Sequence, residues 1–306
     1  MIISNIYNIG LSDLNDDYDL FIGVAGDEPR SYHLAITTDL AQRAKDKYVI
    51  PYKGETTKPN DYPADIIWIK EAAKIENPIW GIVENYLLGD RITLSVIVDY
   101  SSMSRLYYGS FLRSCYEYKG NTKINLCFIY NIAKPIPPLC SQLFHFEPMP
   151  GYSQLRLPQN PTALIIGLGY EEGRAYSLKD YFDAEEVYIF RTDQNSSAEY
   201  YDLVTHNNER LLRSLYNQGK RNIFEYSLEN IAYTHKMLSD LCQELSDKYR
   251  IVIAPCGPKP FTLISLLVSL RLENVDVWRI HNIDKIAEKE GSENNIVTMV
   301  EMIPEK

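Results

Sequence analysis

Two segments of this chain repeat each other. Residues 21–31 read Phe-Ile-Gly-Val-Ala-Gly-Asp-Glu-Pro-Arg-Ser, and residues 165–175 read Ile-Ile-Gly-Leu-Gly-Tyr-Glu-Glu-Gly-Arg-Ala. At one constant offset and without a gap, Ile22 lies over Ile166, Gly23 over Gly167, Asp27 over Glu171, Glu28 over Glu172 and Arg30 over Arg174. Each copy is a short apolar run, a glycine turn, two acids and an arginine, then a helix-like stretch. That order is the strand–loop–helix unit of a doubly wound α/β half. The repeat therefore constrains the chain to two related halves.

The rest of the sequence fits that reading. A length of 306 residues suits two domains at about 150 residues each. Strands are expected near 19–24, 65–70, 92–98 and 123–130, and then 162–168, 186–190, 222–226, 250–254 and 275–280. Ile92–Val98 is a continuous β-branched run, as a parallel strand buried on both faces requires. Helices are expected over 30–47, 77–88, the stretch before Tyr116, the stretch before Phe182, 197–217, 227–248 and 260–272. One more strand is expected at 295–302. Prolines 135, 137, 138, 148, 150, 158 and 161 cluster between the halves, and proline suits neither helix interiors nor central strands. The expected organisation is an N-terminal Rossmann-like half at 1–134, a proline-rich linker at 135–161 and a C-terminal Rossmann-like half at 162–306. Each half is a mainly parallel sheet flanked by helices.

Composition narrows the function classes. The net charge of −10 shows no basic stripe for duplex nucleic acid. The longest apolar run, Phe261–Leu270, is too short to span a bilayer. Five scattered cysteines without a Cys-x-x-Cys pair read as reduced thiols of a cytoplasmic protein. No Gly-x-x-x-x-Gly-Lys-Ser/Thr loop, nucleophile elbow or zinc-spaced histidine set is present, so no metal or cofactor is expected. A dinucleotide fingerprint fits poorly: Gly167, Gly169 and Gly173 are misspaced, and Glu171 and Glu172 stand where a pyrophosphate would sit.

Ligands of open α/β sheets bind at loops beyond the carboxyl ends of the strands. Four loops qualify: 25–30, 99–105, 169–174 and 255–260, which in duplicated halves are expected to face one cleft. In the acidic loops, Asp27, Glu28, Glu171 and Glu172 can read hydroxyls or amines beside Arg30 and Arg174, or simply complement a helix dipole. Asp99, Ser101, Ser102 and Arg105 can cradle an anion at a helix start, or cap that helix. Cys256 and Gly257 allow close approach to the backbone, and Lys259 offers a point charge for phosphate. Tyr100 and Tyr170 are candidates to stack on a base.

The run from the apolar strand at 251 through Gly257-Pro258-Lys259-Pro260 into an apolar helix resembles the Gly-x-Lys loop of the CARF and SAVED sensor superfamily. The resemblance covers residues 251–261 and, more loosely, 96–105. Members of that superfamily are Rossmann-like modules of bacterial antiviral systems that bind cyclic oligonucleotides, and SAVED domains fuse two such units in one chain. The resemblance implies nucleotide binding between the halves, with Lys259 and the Ser101–Arg105 loop as phosphate contacts, and a protein effector that receives the signal. The leading expectation is thus a sensor of a phosphorylated, nucleotide-type small molecule. The alternatives are a hydrolase or transferase built from Glu28, Glu172, Ser102 and Lys259, and a non-catalytic scaffold subunit; homo-oligomerisation stays open.

Overall fold

A computed structural model describes residues 1–25, 30, 40–51, 62–69, 77–134, 144–154, 160–217, 222–282 and 291–305. The chain divides into two compact units, 1–134 with 288–306, and 135–287.

The first unit is built on a seven-stranded sheet in the order β1-β13-β6-β5-β2-β3-β4. Its strands are β1 (Ile2–Ile9), β2 (Tyr18–Ala25), β3 (Ala44–Pro51), β4 (Ile66–Trp68), β5 (Thr93–Asp99), β6 (Lys123–Ala133) and β13 (Gly291–Ile303). The second unit carries a six-stranded sheet in the order β10-β9-β8-β11-β12-β7. Its strands are β7 (Phe144–Pro148), β8 (Thr162–Gly167), β9 (Glu186–Thr192), β10 (Ile223–Tyr226), β11 (Arg250–Pro255) and β12 (Val275–Asn282). Among the described residues the first unit carries helices α1 (Pro78–Tyr86) and α2 (Arg105–Glu117). Those of the second are α3 (Arg174–Phe182), α4 (Ala198–Asn207), α5 (Glu209–Asn217), α6 (Ile231–Leu245) and α7 (Lys259–Arg271).

The two sheets share one plan. In the first, β4, β3, β2, β5 and β6 run parallel and β13 adds an antiparallel strand beside β6. In the second, β10, β9, β8, β11 and β12 run parallel and β7 adds an antiparallel strand beside β12. The repeat survives at residue level. Ile22 pairs with Val98 of β5, and its counterpart Ile166 pairs with Ala254 of β11. The fold is α/β, two Rossmann-like halves with the duplication visible in the strand order.

Packing follows the strand pleat. Leu164, Ile166 and Leu168 bury one face of the second sheet against Ala175 and Leu178 of α3 and Val204, Leu211 and Leu212 of α4 and α5. Gly167 points the other way, where Phe261 of α7 lies over it. Helix α7 is buried nearly all round, from Pro260 to Leu270, which makes it a core element rather than an amphipathic one.

Four expectations change. The segment expected as a helix over 30–47 ends in a 3-10 turn at Leu40–Arg43 and becomes strand β3 from Ala44, because Tyr48, Val49 and Ile50 complete a parallel ladder with β2. The proline-rich stretch is not merely a linker, since β7 within it pairs with β12. The last strand does not belong to the C-terminal half: β13 inserts between β1 and β6 of the first sheet, so the second unit ends at 287. The helix expected over 197–217 breaks at Asn208 into α4 and α5. Among the described residues, no helix is long and apolar enough to cross a membrane.

Candidate functional site

In both sheets the strand order reverses at a central pair. The first sheet turns between β2 and β5, the second between β8 and β11. Chain connections leave these neighbouring strands toward opposite sides, which opens a crevice at their carboxyl ends. Ala25 at the end of β2 and the loop at 99–105 flank the first of these points, and the loops at 168–174 and 255–259 flank the second.

In the first unit, the loop after β5 is held from within. Asp99 is buried, and its Oδ1 accepts the Ser101 N–H at 3.0 Å. The Ser101 hydroxyl oxygen in turn accepts the Asn131 N–H at 2.8 Å, and the buried Arg30 guanidinium donates to the Asn131 carbonyl at 3.1 Å. Asn131 also donates its side-chain amide to Asn295 Oδ1 at 3.0 Å. Asp99, Ser101 and Arg30 therefore tie the ends of β2, β5, β6 and β13 together. Ser104 caps α2 by accepting the Leu106 N–H, and Ser102 and Arg105 are half-exposed at that helix start. Tyr100 is fully buried against Tyr108, Phe128 and Tyr130, so it is a core residue and offers no face to a base. Burial pushes its hydroxyl well above the ordinary tyrosine range. Asp27 and Glu28 lie outside the described residues.

In the second unit the two loops press against each other. A Cβ added to Gly257 would lie 2.3 Å from the Leu168 carbonyl oxygen, and one added to Gly169 would lie 2.4 Å from the Cys256 carbonyl oxygen. These glycines serve backbone-to-backbone packing, a reason the sequence does not reveal. Cys256 is buried in the same core as Leu168, and its N–H donates to the Gly167 carbonyl at 2.8 Å. Arg174 is buried and pairs with Glu171 at 3.1 Å, while Glu172 is exposed. Gly173 takes the left-handed backbone, φ 76°, that ends this loop and begins α3. Tyr170 is half-buried and packs edge-on to Tyr200. The helix break at Asn208 explains itself here: its buried amide donates to the Gly169 carbonyl at 2.9 Å and to the Val204 carbonyl at 2.8 Å. Asn207 donates to the Tyr170 carbonyl. Asn208→Ala removes these bonds and leaves the Gly169 oxygen short of a partner. A loss of about 1–3 kcal/mol in urea denaturation is expected.

The carboxyl end of β9 holds Arg191, which sequence reasoning missed, and Asp193, the acid that the dinucleotide reading would use. Buried Arg191 donates to Glu225 Oε1 at 2.6 Å, to the Tyr201 hydroxyl at 2.8 Å and to Thr205 Oγ1 at 3.2 Å. Asp193 accepts both the N–H and the hydroxyl of Ser196, at 2.8 and 2.6 Å. The acid that a dinucleotide site would direct at a ribose is thus engaged in its own turn.

The helix starts differ by position. The helices that begin at the reversal points, α2, α3 and α7, open on Arg105, Arg174 and Lys259 and have no acid in the first turn. Among the described residues, the other helices with bounds given above open on Pro78, Ala198, Glu209 and Ile231. Asn77, Ser104, Ser197 and Asn230 cap α1, α2, α4 and α6 with their side chains. Gly173 and Pro258, at the starts of α3 and α7, provide no side-chain cap. The hydrolase constellation is divided: Ser102 belongs to the first unit, Glu172 and Lys259 to the second. No protein-family model, curated protein or solved structure matches the chain.

Proposed function

We propose that the chain is a binding module for a phosphorylated, nucleotide-type ligand, read at the carboxyl ends of the parallel strands. The observation that carries this reading is the placement of the cations. A positive side chain on the first residue of a helix opposes the macrodipole, at a cost of about 0.3–1 kcal/mol. That arrangement occurs at Arg105, Arg174 and Lys259, at the strand-order reversals where α/β sheets take ligands. An anion there meets a helix dipole and a side-chain charge of the same sign together.

Within the second unit the support is strongest at α7. Lys259 is half-exposed and the preceding Pro258 cannot cap the helix with a side chain. Arg174 is buried against Glu171, which makes it a positioning residue for the loop, and the half-exposed Lys259 is the phosphate residue of this reading. The loop rests on Gly169, Gly257 and Asn208, and this rigidity preorganises the site. The likeness of residues 251–261 to the loop of cyclic-oligonucleotide sensors agrees with this ligand class. By the same likeness, the bound state is passed to a protein effector.

The test is thermal denaturation of the full chain with and without cyclic oligoadenylates and linear nucleotides. A ligand present at about 100 times its Kd adds about 2.7 kcal/mol, a rise of several degrees in Tm. Lys259→Ala and Arg105→Ala are expected to keep the parent's ligand-free Tm and to lose most of that rise, with Lys259→Arg restoring part of it. Equal stabilisation of parent and variants would reject the assignment.

A further inference from the structure

Thr192 is the last residue of β9, is 1% exposed, and its Oγ1 is shielded from solvent with no hydrogen-bond partner among the described residues. Buried polar side chains are nearly always bonded, so an exception calls for a reason. The strand pleat gives its direction. Thr192 faces the same side of the sheet as Phe190 and lies about 6.6 Å further toward the carboxyl end. Phe190 packs on Phe261, the third residue of α7, with ring centroids 5.3 Å apart. Tyr226, the neighbour of Thr192 in the parallel β9–β10 ladder, packs on Phe261 as well, at 5.4 Å. Helix α7 connects the parallel strands β11 and β12 and so runs back against them. From Phe261 its chain therefore leads through Pro260 to Lys259 in the direction in which Thr192 lies. Thr192 stands under the first turn of α7, where Lys259 brings a positive charge and Pro258 provides no side-chain cap. Arg191, one residue earlier, faces the opposite side and spends its donors on Glu225, Tyr201 and Thr205.

We propose that Thr192 is a phosphate-binding residue whose hydroxyl donates to a phosphoryl oxygen of the ligand held at the start of α7. The inference rests on the binding reading given above and extends that site from the β8–β11 reversal to the end of β9. The groups around the hydroxyl favour an anion over a buried water. A water needs two to four polar partners, whereas Phe190 and Phe261 wall this side with rings. A phosphoryl group carries several acceptor oxygens, so one meets Lys259 at the half-exposed helix start while another meets Thr192 on the dry side. The helix start adds positive potential for both. In such surroundings a hydroxyl bonded to a charged oxygen contributes more than it would in water.

The experiment is thermal denaturation of the full chain and of Thr192→Val and Thr192→Ser, each with and without cyclic oligoadenylates and AMP. Valine keeps the shape and removes the hydroxyl, so its ligand-free Tm is expected to match or exceed the parent's, because no donor is left buried and unbonded. Its Kd is expected to rise about tenfold. At a concentration about 100 times the parent's Kd, that loss cuts the ligand-induced stabilisation to about half. Serine keeps the donor and is expected to keep most of the rise. A Thr192→Val protein with the parent's full rise, or a Thr192→Ser protein that loses as much of it as valine does, overturns the role of Thr192 and leaves Lys259 in place. A parent that none of these probes stabilises overturns this inference together with the binding reading under it.

Discussion

Gly257→Ala is expected to destabilise the second unit by about 2–3 kcal/mol, the range for overpacking a site that cannot move aside. The added methyl would stand 2.3 Å from the Leu168 carbonyl oxygen, and its obstacle is backbone rather than the end of a flexible side chain. Gly169→Ala fails from the opposite loop, with Cys256 O at 2.4 Å. Relief requires the 168–174 and 255–259 loops to part, and both are anchored: Cys256 N–H to the Gly167 carbonyl, Asn208 to the Gly169 carbonyl. Gly81→Ala is the internal control. That position lies within α1 with nothing within 4 Å of a new Cβ, so alanine is expected to add about 0.5–1 kcal/mol through helix propensity. Urea denaturation followed by circular dichroism reads both signs. A Gly257→Ala protein as stable as its parent would mean that the loops do not touch as described. Because the same contact holds the start of α7, the variant is also expected to weaken the proposed ligand binding more than its stability loss alone accounts for.

What could be read from the chain, and what could not, divides by the range of the interaction. The parallel strands are legible because burial on both faces writes a continuous apolar run, as at Ile92–Val98. The repeat is legible because Ile22 and Ile166 sit in equivalent ladders, where the same side chains satisfy the same neighbours. The placement of β13 is not legible locally. Its partners are β1 and β6, and only the assembled sheet decides that residues 291–303 close the first unit instead of the second. The segment 44–51 misleads because Ala44, Lys45 and Lys47 are good helix formers, and pairing with β2 overrides that preference. At the site, the sequence marks Arg105, Arg174 and Lys259 through their position after strands. It does not separate Lys259, half-exposed at a helix start, from Arg174, buried against Glu171. Nor does it announce Asn131, Asn208 or Arg191, because each acts on backbone or side chains far away in the chain. Two helix starts also look alike in the sequence yet differ physically: Ser104 caps its helix with a side chain, while Pro258 at the equivalent start of α7 does not.

The stability of the second unit is expected to fall as the pH drops from about 6.5 toward 4, and His235 supplies a separable part of that fall. His235 sits on α6 where that helix packs on α7, is 6% exposed, and its Nε2 has no hydrogen-bond partner among the described residues. Burial lowers its pKa to about 4; the charge of Arg271 on α7 pushes the same way, and Asp240 on α6 opposes. Lys236, the neighbouring cation on α6, is exposed and engaged with Asp240. The folded pKa therefore lies below the unfolded value of about 6.5. Between the two the unfolded chain binds more protons, so the contribution is complete above about 6.5 and shrinks as pH falls toward 4. A difference of this size corresponds to roughly 3 kcal/mol across the window. Carboxylates titrate in the same range, so the measurement is the difference between the parent and His235→Leu, both unfolded in urea from pH 7.5 to 4.5. The leucine fills the apolar site without a titrating group, and its profile is expected to be flatter than the parent's by roughly 2 kcal/mol at pH 4.5. Parallel profiles would show that His235 reaches water or a proton acceptor in the folded chain, and its tight burial between α6 and α7 would have to be abandoned.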